Sequence, residues 1–107
     1  MPDLNRIFAE LHQKLEAAPD RWKETEISCQ FDLSGEGGGT YHLVLAGGRA
    51  DVGPGAPDAP KVTLSMAADA FERMLGGQLN PTAAFMSGQL KIQGDMGMAM
   101  KLQGLLQ

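Results

Sequence analysis

Little in this chain speaks of covalent or metal chemistry. Among its 107 residues are one cysteine, Cys29, two histidines and six aromatics. A lone cysteine cannot close an internal disulfide, which excludes a disulfide scaffold and fits a reducing compartment. Two histidines with no His/Cys cluster leave no metal site of recognisable spacing. Cations are also scarce: nine Lys and Arg against 13 Asp and Glu give a net charge of −4. No Lys/Arg cluster occurs, so a phosphate-tracking surface lacks its source of charge and nucleic acid is excluded as a partner. The same deficit argues against steering to anionic membranes. No apolar run approaches the roughly 18 residues needed to span a bilayer. Asp3, Arg6 and Glu10 interrupt the opening residues where a secretory signal needs an apolar stretch. The closing Leu105-Leu106-Gln107 is not a peroxisomal address. The expectation is a cytoplasmic, soluble protein without stable membrane insertion.

What is present is ordinary in bulk and biased in detail. Hydrophobic residues make up 43% and charged residues 21%, a globular composition that predicts one domain over residues 1–107. Glycine, at 14, is nearly double its usual share of roughly 7%. Methionine, at seven, outnumbers the aromatics; its flexible, polarizable side chain suits surfaces that accept variable apolar shapes.

Periodicity orders the chain. Leu4, Ile7, Phe8, Leu11 and Leu15 follow helical spacing, with Asp3 as N-cap and Pro19 ending the run. Ile27, Cys29, Phe31 and Leu33 then alternate with polar residues, a strand period of two. Across the turn Ser34–Gly39, Tyr41, Leu43 and Leu45 alternate likewise, and Gly47-Gly48 signals a hairpin into a short strand at Arg49–Val52. A Pro/Gly-rich loop over 53–60 leads to a fourth strand around Val62 and Leu64. Ala67, Ala70, Phe71, Met74 and Leu75 share a helical face that Gly76-Gly77 stops. Asn80-Pro81 opens a short helix through Phe85 and Met86, closed by Gly88. Leu90 and Ile92 mark a fifth strand, and Asp95 caps a last helix from Met96 to about Leu106. Alternating strands imply a sheet with one apolar face, antiparallel or mixed, and all helices on that side.

Catalytic constellations fail their context tests. Cys29 and His42 invite a nucleophile–base reading, but Cys29 points with Phe31 while His42 points opposite to Leu43. Gly35-Glu36-Gly37-Gly38-Gly39 joins two strands and opens no helix, so it is a hairpin and not a phosphate loop. Asp95 beside Lys91 reads as a helix cap with a solvated neighbour.

The last third is rich in apolar surface. In the final helix Met98, Leu102 and Leu105 form one stripe, while Met96 and Met100 lie half a turn round. That second row is extra core, an exposed partner-binding face, or the lining of a deformable pocket. Gly94 and Gly97 at the helix start would let it move as a lid.

The runs Leu75-Gly76-Gly77-Gln78-Leu79-Asn80-Pro81, Ala84-Phe85-Met86-Ser87-Gly88-Gln89-Leu90-Lys91-Ile92 and Gly94-Asp95-Met96, with Ala99-Met100-Lys101-Leu102, resemble the sterol carrier protein 2 domain. The resemblance covers roughly Leu4 to Leu106. It implies an α+β fold: a five-stranded mixed, largely antiparallel sheet, helices covering one face, and a hydrophobic tunnel between the layers. It further implies reversible, non-enzymatic binding of a fatty acid, acyl-CoA, sterol or similar lipid, with no catalytic residue, metal or cofactor, in a monomer or weak homodimer. The cavity lining expected on this basis is Phe31, Leu43, Leu64, Phe71, Met74, Leu75, Phe85, Met86, Leu90, Ile92, Met96 and Met100. Two other roles stay open: an accessory module presenting a lipid or quinone intermediate to an enzyme, and an interaction module whose cavity is collapsed.

Overall fold

The alternation read in the sequence is realised as a sheet whose inward face is apolar from end to end. The structure, a computed structural model, describes residues 3–106. Helix α1 (Leu4–Ala17) and a 3-10 turn (Pro19–Arg21) precede strands β1 (Ile27–Ser34), β2 (Gly39–Ala46), β3 (Arg49–Pro54) and β4 (Val62–Ala67). Helices α2 (Ala68–Leu75) and α3 (Pro81–Met86), strand β5 (Lys91–Gly94) and helix α4 (Met96–Leu106) follow. The strand order is β3-β2-β1-β4-β5. Only β1 and β4 run parallel; the other pairs are antiparallel, so the sheet is mixed.

Register places the core. Phe31 lies between Tyr41 of β2 and Leu64 of β4, and every second residue of these strands is buried. Helices α1 and α2 cover that face through Phe8 and Phe71. The Phe8 ring stacks on Tyr41 at 4.4 Å and on Phe71 at 5.3 Å, and meets Phe31 edge-on at 5.3 Å. Burying one such side chain is worth about 1.5–3 kcal/mol, so this cluster anchors the two helices to the sheet.

The three expected caps form. Asp3 Oδ1 accepts from Arg6 N at 3.2 Å, Asn80 Oδ1 from Thr82 N at 2.8 Å, and Asp95 Oδ1 from Met98 N at 3.0 Å. Helix α2 departs from expectation. Ala67 still pairs with Ser34 on β1, so β4 runs directly into the helix without a side-chain cap. Trp22, which periodicity left unassigned, is buried and donates its indole N–H to the Leu15 carbonyl at 2.7 Å, closing the end of α1.

The return from β3 to β4 crosses the polar side of the sheet. His42 lies within 3.1 Å of the Gly55 carbonyl through Nδ1 and of Asp51 Oδ1 through Nε2, and Lys61 N donates to the Ser28 carbonyl at 3.0 Å. The crossover is thus pinned at both ends. Among the described residues no helix is long and apolar enough to cross a membrane.

Candidate functional site

An apolar cavity lies beneath α4, where the sheet and three helices meet. Leu64 and Ile92 face each other across β4 and β5 and form its floor. Met74 of α2, Pro81 at the first turn of α3, and Leu90 close the sides. Ala99, Gln103 and Leu106 of α4 form the roof. The local sequence positions each wall. Asn80 caps α3 with Pro81 at its first position, and the Asp95 cap sets the phase of α4 so that residues 99, 103 and 106 share one face. Gln103 is the one polar side chain in the lining.

The cavity is small. Its volume is about 20 Å³, room for roughly one water, so this space is a pocket between helix and sheet and not an open tunnel. Larger spaces lie on either side. A cleft of about 330 Å³ between α1 and the ends of α2 and α4 has Ile7, Leu11, Leu75 and Leu106 as floor and Arg6, Glu10, Lys14 and Glu72 as rim. A groove of about 380 Å³ follows the turn from Met74 to Pro81. The cavity shares Leu106 with the cleft, and Met74 and Pro81 with the groove. The cavity therefore adjoins two open depressions, each within the size range of small-molecule sites.

The residues expected to line a tunnel divide into three groups. Leu64, Met74, Leu90 and Ile92 line the cavity, and Leu75 lines both open depressions. Phe31, Leu43 and Phe71 are buried in the core, with Phe31 and Phe71 packed ring to ring at 5.3 Å, away from the linings of these three spaces. Phe85, Met86, Met96 and Met100 stand at the surface, 42%, 79%, 45% and 67% exposed. A helix lying on a sheet buries one arc, and in α4 that arc is taken by Ala99, Leu102, Leu105 and Leu106. Pro81, Ala99, Gln103 and Leu106 were absent from the expected lining. Ala99, Gln103 and Leu106 have i, i+4, i+7 spacing on α4, but a small and a polar side chain hid it from a search for large apolar residues.

The groups that could do chemistry are kept apart. Cys29 is fully buried, and its pKa is pushed up to about 12 by burial, against a smaller opposing effect of a backbone hydrogen bond from Leu64. His42 sits on the opposite face of the sheet, bonded to Asp51 and Gly55. His12 is on the outer side of α1, 3.1 Å from Glu16. Among the described residues no three His, Cys, Asp or Glu side chains converge as metal ligands. What the arrangement offers is a small, almost wholly apolar pocket beside two open depressions.

Comparison with known proteins agrees with this geometry. The sequence profile of the SCP-2 sterol transfer family matches residues 4–107. Hydroxysteroid dehydrogenase-like protein 2 of Homo sapiens is 48% identical over 85 residues, which cover 78% of this chain and 20% of that protein. The chain thus spans about a fifth of the length of this relative. Palmitated SCP2L2 from Aedes aegypti superposes with a TM-score of 0.78 at 18% identity, over 98% of this chain and 95% of that one. The ubiquinone synthesis protein UbiJ-SCP2 superposes with a TM-score of 0.69 at 20% identity, over 98% and 96%.

Proposed function

Because the chain belongs to the SCP-2 sterol transfer family, we propose that it is a non-enzymatic carrier that holds one slender lipid, such as a fatty acyl chain, in the cavity beneath α4. The observation that carries this reading is an almost wholly apolar lining placed between two open depressions. Met74 and Leu106, the side chains at the two boundaries, would swing aside as the chain enters. An acyl chain suits this entry better than rigid fused rings, since it can thread a gap that widens locally. A chain burying about 400 Å² of apolar surface gains on the order of 10 kcal/mol before the costs of association, so no further anchor is required. Arg6 and Lys14 on the rim of the cleft would face the head group. Binding needs no nucleophile, which agrees with the burial of Cys29 and its separation from His42.

A second reading places the same cavity in the service of an enzyme. Its support is that the chain matches a fifth of a dehydrogenase-like relative, and that a ubiquinone synthesis protein shares the fold. In that role it would present a lipid or quinone intermediate to a partner that supplies the chemistry.

Native mass spectrometry of freshly purified protein, followed by displacement of a fluorescent fatty acid, tests both readings. One lipid per chain is expected. Ala99→Phe, which fills the roof, should weaken binding at least about tenfold while the protein stays folded, overpacking costing about 1–3 kcal/mol. A bare mass with no probe binding would overturn both readings and favour an interaction module with a collapsed cavity.

A further inference from the structure

Among the described residues the four exposed large hydrophobic side chains are confined to α3 and α4, and three of them border the cavity. Phe85 follows Pro81 by one helical turn and lies on the same face of α3. Met96 and Met100 precede Ala99 and Gln103 by three residues each, so they stand along the outer edge of the roof. Met86, two residues round from Ala84, points away from that edge. Phe85, Met96 and Met100 thus form an apolar rim around the outside of the cavity.

Charge is distributed to match. Residues 74–107 contain one acidic residue, Asp95, and every other Asp and Glu lies before Arg73. The Asp95 carboxylate is committed to the cap of α4, 3.0 Å from Met98 N. Lys101 stands on α4, and the Arg21 guanidinium reaches its far end, donating to the Gly104 carbonyl at 3.0 Å. By contrast α1 carries Glu10 and Glu16 on its outer face, and α2 carries Asp69 and Glu72. The net charge of −4 hides this asymmetry. An apolar rim whose one neighbouring carboxylate, Asp95, is spent on a helix cap, with Lys101 and Arg21 near it, fits one kind of surface best. The three rim side chains themselves, Phe85, Met96 and Met100, offer no hydrogen-bonding group. A protein partner pressed on it would leave its own polar groups unpaired, whereas hydrocarbon has none to lose.

We infer that the α3–α4 rim of Phe85, Met96 and Met100 is the surface by which this protein touches a phospholipid bilayer. Contact there inserts the three side chains at the head-group boundary, brings Lys101 and Arg21 to anionic head groups, and sets the cavity roof against the membrane. The inference extends the carrier reading, because the rim surrounds the same cavity, but the contact itself needs no bound ligand.

Flotation with phosphatidylcholine vesicles, with and without phosphatidylserine, tests it on the full chain. The wild type should float, and more strongly with phosphatidylserine. The double variant Met96→Ser/Met100→Ser should bind vesicles at least about tenfold more weakly, since burying even one such side chain is worth a tenfold change. Phe85→Ser should act in the same direction, whereas Met86→Ser, exposed but off the rim, should change little. Unchanged melting temperatures of these surface variants would show that folding is not the cause. Displacement of a fluorescent fatty acid in vesicle-free solution separates the two proposals. Rim variants that keep this binding but lose flotation support the inference. A wild type that floats through the rim yet binds no fatty acid overturns the carrier reading alone. A wild type that stays with the soluble fraction, flotation indifferent to the rim, or a vesicle-free oligomer that the rim variants dissolve would overturn the inference.

Discussion

Cys29 pairs with Leu43 on one side and Val62 on the other in the middle of the sheet, with no exposed surface. Burial raises its pKa from 9.0 to about 12, so the folded protein keeps the thiol proton where an unfolded chain has lost it. The stability tied to this group is full below pH 9 and is lost as pH rises from about 9 towards about 12. Cys29 should therefore stay unmodified by a thiol reagent at mildly alkaline pH in the native protein and react once guanidinium unfolds it. Denaturation midpoints should fall above pH 9, and the fall should be shallower in Cys29→Val. Rapid labelling of the native protein would mean that the strand opens locally. The same residue shows why alternation was enough to dismiss a Cys–His pair. Neighbouring strands set Cys29 and His42 on opposite faces, and no loop movement brings them together.

Among the elements, α4 is the one we propose as the lid. Its roof residues close the cavity, while the floor belongs to a sheet whose strands are held by continuous ladders. Its hinge is narrower than its glycines suggested. Gly94 has φ +105°, and a Cβ there would run into the Lys61 carbonyl, so this glycine serves a close approach of β5 to β4 and not freedom of movement. Gly97 has only the Asp95 carboxylate near an added Cβ. Movement should therefore start after the cap, within the helix. Hydrogen exchange with and without palmitate should show its changes in residues 97–106, with β1 and β2 unaffected. Changes spread evenly over the sheet would rule out α4 as the lid.

At the scale of the molecule, ligand and fold share one equilibrium, because the cavity exists only when helix and sheet are packed together. A lipid that binds only the folded state at a hundredfold excess over its Kd adds about 2.7 kcal/mol of stability. For a chain of this size that corresponds to a rise in Tm of about 10 °C. Thermal unfolding with graded palmitate should show that rise, and Ala99→Phe should abolish most of it. An unchanged Tm at saturating palmitate would mean that the folded chain does not bind it in preference to the unfolded one.

Apart from the 3-10 turn Pro19–Arg21, the sequence alone determined the four α-helices, the five strands and the side of the sheet on which the core lies. These are local matters: a period of two or of 3.6, and a capping carboxylate or amide at Asp3, Asn80 and Asp95, are written within a few residues of where they act. The family was legible too, in the ordered run from Leu75 to Leu102. Tertiary structure alone decided what depends on distant residues meeting. The parallel pairing of β1 with β4 follows from a crossover pinned by His42 and Lys61, and no local pattern marks it. The closure of the cavity to about 20 Å³ depends on how deeply α4 settles between Met74 and Ile92. Met96 and Met100 are as apolar as the core, yet they face outward because a helix on a sheet has one inward arc, and Ala99 and Leu102 had already filled it.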